Sequence, residues 1–137
     1  MESQNSLCAL LADKHTALAE RIRGLLETTF QTVYTVADAP SLLQGAQRLT
    51  PAVVVLDISL AGADSLQLLK QIGEFSPTSR VIVLSIHDQS TVARAALSAG
   101  ARGVVLKRGV AHDLMAAVDA VLRGEEFVSP EFGLTPC

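Results

Sequence analysis

The strongest constraint on this chain is a set of five short, largely β-branched apolar runs separated by stretches whose apolar residues recur at helical spacing. The runs are Leu7–Ala12, Phe30–Val36, Val53–Leu56, Arg80–Leu84 and Gly103–Leu106, and their length and residue types predict strands. The first two intervening stretches carry Leu18, Ile22, Leu25 and Leu26, then Leu42, Leu43, Ala46 and Leu49. The later ones carry Leu66, Leu69 and Ile72, then Val92, Ala95, Ala96 and Ala99, and finally Leu114, Val118, Val121 and Leu122. Each set repeats every three or four positions, which predicts a helix with one apolar stripe. Strand and helix therefore alternate along the whole chain.

Such alternation requires parallel strands joined by helical crossovers. Four of the runs are continuously apolar, as strands covered on both faces must be. Phe30–Val36 differs, because Gln31, Thr32, Tyr34 and Thr35 interleave with Val33 and Val36; this predicts a strand at the sheet edge with one wetter face. Pro51, Pro77, Gly100 and Gly124 fall where the elements should end. Right-handed crossovers then give an α/β fold: a doubly wound, five-stranded parallel sheet of order 2-1-3-4-5 in a three-layer sandwich. In such sheets ligands bind at the carboxyl ends of the strands. The 137 residues make one domain, expected to end near residue 126, with 127–137 as the start of a linker or a C-terminal tail.

Aromatic residues are only 4% of the chain, so the core must be aliphatic, and 14 acidic against 11 basic residues exclude a surface built to neutralise phosphates of nucleic acid. Cys8 and Cys137 have neither metal-ligand nor disulfide-framework spacing. No apolar stretch approaches the roughly 18 residues of a membrane span, and no positively charged leader is evident. A soluble, cytoplasmic protein without membrane partners is expected.

Asp13, Asp57, Ser85 and Lys107 stand at the carboxyl ends of the first, third, fourth and fifth runs. Singly, each would do no more than solvate a loop or cap a helix. Together, two carboxylates, a hydroxyl and an ammonium on adjacent strands suit the acceptance of an anionic group on Asp57, with Lys107 pairing the new charge and Ser85 donating a hydrogen bond.

The residues that carry these groups also carry a family resemblance. Val53–Asp64 (VVVLDISLAGAD), Val81–Asp88 (VIVLSIHD) and Ala99–Lys107 (AGARGVVLK) resemble the corresponding segments of receiver domains of two-component response regulators, the CheY-like group of flavodoxin-type folds. Ala120–Pro130 (AVLRGEEFVSP) is further similar to receivers of the NarL/LuxR class, in which a linker and a helix-turn-helix domain follow. The resemblance implies that Asp57 accepts a phosphoryl group from a sensor histidine kinase or a small phosphodonor, forming an acyl phosphate. It implies Mg²⁺ held by Asp13, Asp57 and the backbone carbonyl of Ser59, with Ser85 as a switch that moves toward the phosphate. That movement is passed to the face of the fourth helix, fifth strand and fifth helix, where a homodimer is expected. DNA would be bound only through a C-terminal helix-turn-helix domain outside these residues, and the receiver itself is expected to be no enzyme.

Several positions depart from the family pattern. The family places two adjacent acids after the first strand, whereas here the pair is Asp13-Lys14. Two placements of Lys14 are open. Turned inward, it cancels the site's negative charge and weakens the hold on Mg²⁺; turned outward, it leaves Asp64 or water to complete the coordination. Val104 stands where a switch aromatic is common, Ile86 where a small residue is usual, and His87 where side chains can influence the attacking water. Ala61 replaces a loop proline, and Ser65, in place of a glycine, is expected to cap the third helix. His15 is read as a loop residue and His112 as an exposed residue of the fifth helix. With no second ligand at helical or hairpin spacing, no transition-metal site is expected.

Two readings follow from a different weighting of Lys14. One is the phosphoacceptor receiver; the alternative is a pseudo-receiver whose Lys14 ammonium pairs with Asp57 and holds one conformation as a phosphorylation-independent interaction module. A small phosphatase would want an acid at His15, and a flavin binder would want a Gly-rich phosphate loop at Asp13–Thr16, so both are discounted.

Overall fold

The structure, a computed structural model, describes residues 8–133, so Leu7 and Cys137 lie outside the described residues. The chain alternates β1 (Cys8–Ala12), α1 (Thr16–Leu26), β2 (Thr32–Val36), α2 (Ala39–Leu49), β3 (Val53–Asp57), α3 (Ser65–Phe75), β4 (Arg80–Ser85), α4 (Ser90–Ser98), β5 (Gly103–Leu106) and α5 (Val110–Leu122). A short sixth strand, β6 (Phe127–Val128), follows. All strands are parallel in the order β2-β1-β3-β4-β5-β6.

The period of two along each strand divides the core into two layers. Leu10, Val54, Leu56, Val83, Val104 and Leu106 pack with α2, α3 and α4 on one face. Ala9, Leu11, Val53, Val55, Leu84 and Val105 pack with α1 and α5 on the other. This is why β1, β3, β4 and β5 read as unbroken apolar runs: a strand covered on both sides has no wet face. β2 lies at the sheet edge with Thr32, Tyr34 and Thr35 exposed, as its mixed sequence predicts. Phe30, assigned to that strand from its apolar character, is instead buried before it, in the α1/α5 layer.

Local signals set the turns. Asp38 caps α2 by accepting from the Ser41 backbone N–H at 2.8 Å, with Pro40 in the first turn. Gly100, at φ +118°, makes the tight return from α4 into β5 that a side-chain-bearing residue would resist.

The expected five-stranded sheet gains a strand from residues read as a linker or tail. After α5 the chain turns back at Gly124, and the Phe127 and Ser129 N–H groups donate to the Arg102 and Val104 carbonyls at 3.1 and 2.9 Å. β6 thus satisfies the backbone of β5, which would otherwise be an open edge. The buried Ser129 hydroxyl accepts from the Leu106 N–H at 3.2 Å and donates to the buried Asp113 carboxylate at 2.9 Å. Beyond it Phe132, only 2% exposed, enters the same core layer as Val104. Two apolar residues between Gly-Glu-Glu and Ser-Pro are too short a run to signal a strand; long-range pairing with β5 decides it.

Phe132→Ala should therefore cost about 3 kcal/mol, the scale of a truncated core aromatic. A lowered urea midpoint with unchanged slope is the expected result, whereas a linker position would move stability by no more than about 0.5 kcal/mol.

Candidate functional site

Parallel pairing brings the carboxyl ends of β1, β3, β4 and β5 to one edge of the sheet. Leu56 lies opposite Ala12, Asp57 opposite Leu84, and Ser85 opposite Leu106. Asp13, Asp57, Ser85 and Lys107 stand there as their strand-end positions predict, and the first three are buried.

The same local chemistry turns the chain after three of these strands. Asp13 Oδ1 accepts from the His15 N–H at 2.8 Å, Asp57 Oδ1 from the Ser59 N–H at 3.0 Å, and Ser85 Oγ from the His87 N–H at 3.0 Å. Each is a short polar side chain folding onto the backbone two residues ahead. Ser85 Oγ also donates to the His87 carbonyl at 2.9 Å, so its hydroxyl is engaged by its own loop. Ser59 makes a further contact that spacing alone did not reveal: its hydroxyl donates to Asp57 Oδ1 at 2.9 Å.

The charges are held across the sheet. Lys107 Nζ donates to Asp57 Oδ2 at 2.8 Å and lies 3.9 Å from Asp13 Oδ2. Asp57 is 1% exposed and Lys107 10%, so the pair is largely withdrawn from solvent. Burial works to raise the Asp57 pKa, but hydrogen bonds from Lys107 and Ser59, with the Lys107 charge, outweigh it and hold the carboxyl below the usual carboxylate range. Asp13 Oδ2 is buried and has no hydrogen-bond partner among the described residues. Two carboxylates against one ammonium leave a net negative charge, and an orphaned carboxylate oxygen aimed at it fits a divalent cation held by Asp13, Asp57 and the Ser59 loop.

Lys14 takes the outward placement. Its side chain is exposed and forms no ion pair among the described residues, so the Asp57 partner is Lys107 alone among the lysines. Asp64 does not fill the vacant acid position, because it borders a separate hollow with Gln67 and Gln71 beside α3. His15, in contrast, joins the site: Nδ1 lies 3.2 Å from Asp13 Oδ1 and 3.4 Å from Asp57 Oδ2. Its reading as a loop residue is thus incomplete; it stands at the N-cap of α1 and faces both acids. Ser65 does not cap α3 through its hydroxyl, which instead donates to the Ile58 and Gly62 carbonyls and braces the loop after β3. Val104 is a fully buried core residue. His112 is exposed, with Nδ1 3.0 Å from Asp113 Oδ1. Ile86 is 63% exposed and, with His87, Ser85, Ser59 and Leu66, lines a cavity of about 320 Å³ that opens onto Asp57.

The doubly wound parallel sheet thus brings two acids, a hydroxyl and a lysine together at its carboxyl edge. The chain belongs to the response regulator receiver domain family, which it matches over residues 9–119, and within it to receivers of the NarL/LuxR class. It is 30% identical to the transcriptional regulatory protein RcsB of Escherichia coli K12 over 132 residues, covering 93% of this chain and 61% of that protein. It is 26% identical to the transcriptional regulatory protein DegU of Brevibacillus brevis, covering 94% of this chain and 56% of that protein. The chain thus spans about 60% of the length of these curated relatives. Among solved structures, a LuxR-family response regulator from Aurantimonas sp. SI85-9A1 superposes with a TM-score of 0.83 at 28% identity, over 92% of this chain and 91% of that one. The isolated receiver domain of RcsB from Salmonella enterica serovar Typhimurium superposes with a TM-score of 0.79 at 28% identity, over 92% of this chain and 95% of that one. Among the described residues no helix is long and apolar enough to cross a membrane.

If Lys107 is what makes two buried carboxylates tolerable, Lys107→Met should destabilise the chain by about 3 kcal/mol at neutral pH in the presence of a chelator. In the wild type the depressed Asp57 pKa contributes stability above the usual carboxylate range, lost as pH falls through the depressed value. The variant's Asp57, without the Lys107 contributions, should instead protonate at higher pH, so its deficit shrinks as the solution is acidified. Urea denaturation across this pH range checks the sign, and a deficit independent of pH would contradict it.

Proposed function

We propose that this chain is the phosphoacceptor receiver of a LuxR-class transcriptional regulator, taking a phosphoryl group on Asp57 from a sensor histidine kinase. The observation that carries the reading is the buried Asp57, paired to Lys107 at 2.8 Å, with the unpartnered Asp13 Oδ2 beside it. A carboxylate oxygen of Asp57 attacks the phosphorus of a phosphohistidine. The P–N bond breaks, the imidazole leaves with the electron pair, and an acyl phosphate remains. The depressed pKa keeps Asp57 ionised for this attack. Lys107 is already placed to pair the added charge, and Ser85, which begins bonded to the His87 loop, can exchange that bond for one to a phosphoryl oxygen. A bound divalent cation, Mg²⁺ in most of the family, would neutralise the phosphoryl oxygens, with Asp13, Asp57 and the Ser59 carbonyl as its holders.

The chain itself is a switch that is acted upon, not an enzyme with its own substrate turnover. Movement of Ser85 would reach α4 and β5 through the packed layer that contains Val104 and Phe132, and α5 through the opposite layer that contains Leu84 and Val105. A homodimer formed on that side would seat partly on β6, which covers the β5 edge. One solved relative is described as two RcsB dimers bound to two parallel DNAs; by analogy, DNA binding here would belong to an output domain beyond these residues. The pseudo-receiver reading lacks its motivating contact, since Lys14 faces solvent.

Incubation of the chain with phosphoramidate or acetyl phosphate and Mg²⁺ should add one phosphoryl mass in an intact-mass spectrum. Asp57→Asn should abolish it. No adduct, or an adduct that survives in Asp57→Asn, would overturn the reading.

A further inference from the structure

Ser129 ties together the two ends of the segment that carries Lys107. Lys107 follows directly on β5 and opens the short turn Lys107–Gly109 that leads into α5. On the near side of that turn the Leu106 N–H donates to Ser129 Oγ at 3.2 Å. On the far side Ser129 Oγ donates to Oδ2 of Asp113, in the first turn of α5, at 2.9 Å. The Ser129 N–H donates in turn to the Val104 carbonyl at 2.9 Å, which anchors this clamp to β5.

The clamp has a fixed polarity. A serine hydroxyl has one hydrogen to give and two lone pairs to offer. Asp113 Oδ2 takes the hydrogen, so the oxygen turns a lone pair to the Leu106 N–H. Ser129 and Asp113 are both buried, and a polar partner lost there is not replaced by bulk water. Neither side chain is a partner of Asp57, so the phosphoacceptor chemistry leaves both of them without a direct role.

What Lys107 does depends on where its backbone stands. Its ammonium ends a flexible four-carbon stem, yet it meets Asp57 Oδ2 at 2.8 Å while lying 3.9 Å from Asp13 Oδ2. A displacement on the order of 1 Å in a group that positions reacting charge can cost about a hundredfold in rate.

We propose that Ser129, oriented by Asp113, is a positioning residue for Lys107, so that docking of the β6 segment is coupled to the chemistry at Asp57. The inference rests on the receiver reading for the phosphoryl transfer, though not for the hold on Lys107. Such coupling is reciprocal. A docked β6 keeps Lys107 on Asp57, and an anionic group added at Asp57, which Lys107 must pair, steadies β6. A change at Asp57 thereby reaches the chain that follows α5 through polar contacts separate from the Ser85 loop.

The test compares the intact chain with Ser129→Ala, Asp113→Ala and a control for lost stability. Phe30 is buried in the α1/α5 layer and makes none of these contacts, so the control is whichever of Phe30→Leu and Phe30→Ala lies nearer to Ser129→Ala in urea midpoint. In ¹⁵N spectra the Lys107 ammonium signal should move in both clamp variants and stay in place in the control. Phosphoramidate labelling of Asp57 should slow at least fivefold in Ser129→Ala and remain within twofold of wild type in the control. In a Lys107→Met background Ser129→Ala should add less than a twofold slowing, because the group it positions is gone. Beryllofluoride with Mg²⁺ should slow amide exchange at positions 127 and 129 at least threefold in the wild type. Should Ser129→Ala fail to fold, Asp113→Ala carries the same comparisons. An unmoved Lys107 signal in the clamp variants, equal slowing in Ser129→Ala and the control, or a full fivefold effect in the Lys107→Met background would each overturn the inference. So would amide exchange that beryllofluoride leaves unchanged in a wild type that labels. A wild type that does not label at all removes the receiver reading alone, and the Lys107 signal still decides the positioning role.

Discussion

The ion pair between Lys107 and Asp57 is the contact on which the polar end of this molecule depends. A parallel sheet covered by helices on both faces has no wet surface along its strands, so its polar groups are confined to the strand ends. Here two carboxylates are buried at adjacent ends, and among the described residues only one ammonium reaches them. Without Lys107, the buried charge on Asp57 would raise its pKa and favour protonation. With it, Asp57 remains an ionised carboxylate inside the fold while Asp13 is left only partly compensated. That incomplete compensation makes the site receptive to a cation.

Around this pair the fold uses one local device three times. Asp13, Asp57 and Ser85 each accept from the backbone two residues ahead, which ends the strand sharply and leaves the side chain at the sheet edge. The device also explains why the site is adaptable. The hydrogen bonds that hold Ser85 are short-range and internal to its loop, so they can be exchanged without disturbing the two apolar layers beneath. The tail adds constraint beside β5: β6, Ser129 and Phe132 tie β5 to α5 and to the α2–α4 layer.

Much of this was legible in the linear pattern. Strand ends are readable because an apolar run stops at a polar residue, and in a doubly wound sheet those stops converge; Asp13, Asp57, Ser85 and Lys107 were found this way. The edge position of β2 was readable from its alternation. Other features were not. His15 lies 42 positions before Asp57, and nothing in the intervening sequence says that the residue capping α1 brings its imidazole to both acids. Ser59 had a weak signal as the polar residue two beyond a strand-end acid, the position such turns favour. The expectation that Ser65 would cap α3 failed because its hydroxyl found two loop carbonyls instead.

Period and polarity are properties of neighbouring residues, and so the sequence by itself determined the alternation of elements, the parallel sheet and the four polar strand ends. Whatever depends on residues far apart in the chain was decided only by the tertiary structure. The exposure of Lys14 is seen only in the folded chain. The sixth strand forms because β5 presents an unpaired edge to a chain that α5 has carried back alongside it. The approach of His15 to Asp57 arises because β1 and β3 are paired neighbours, which brings the loops that follow them together at the same edge.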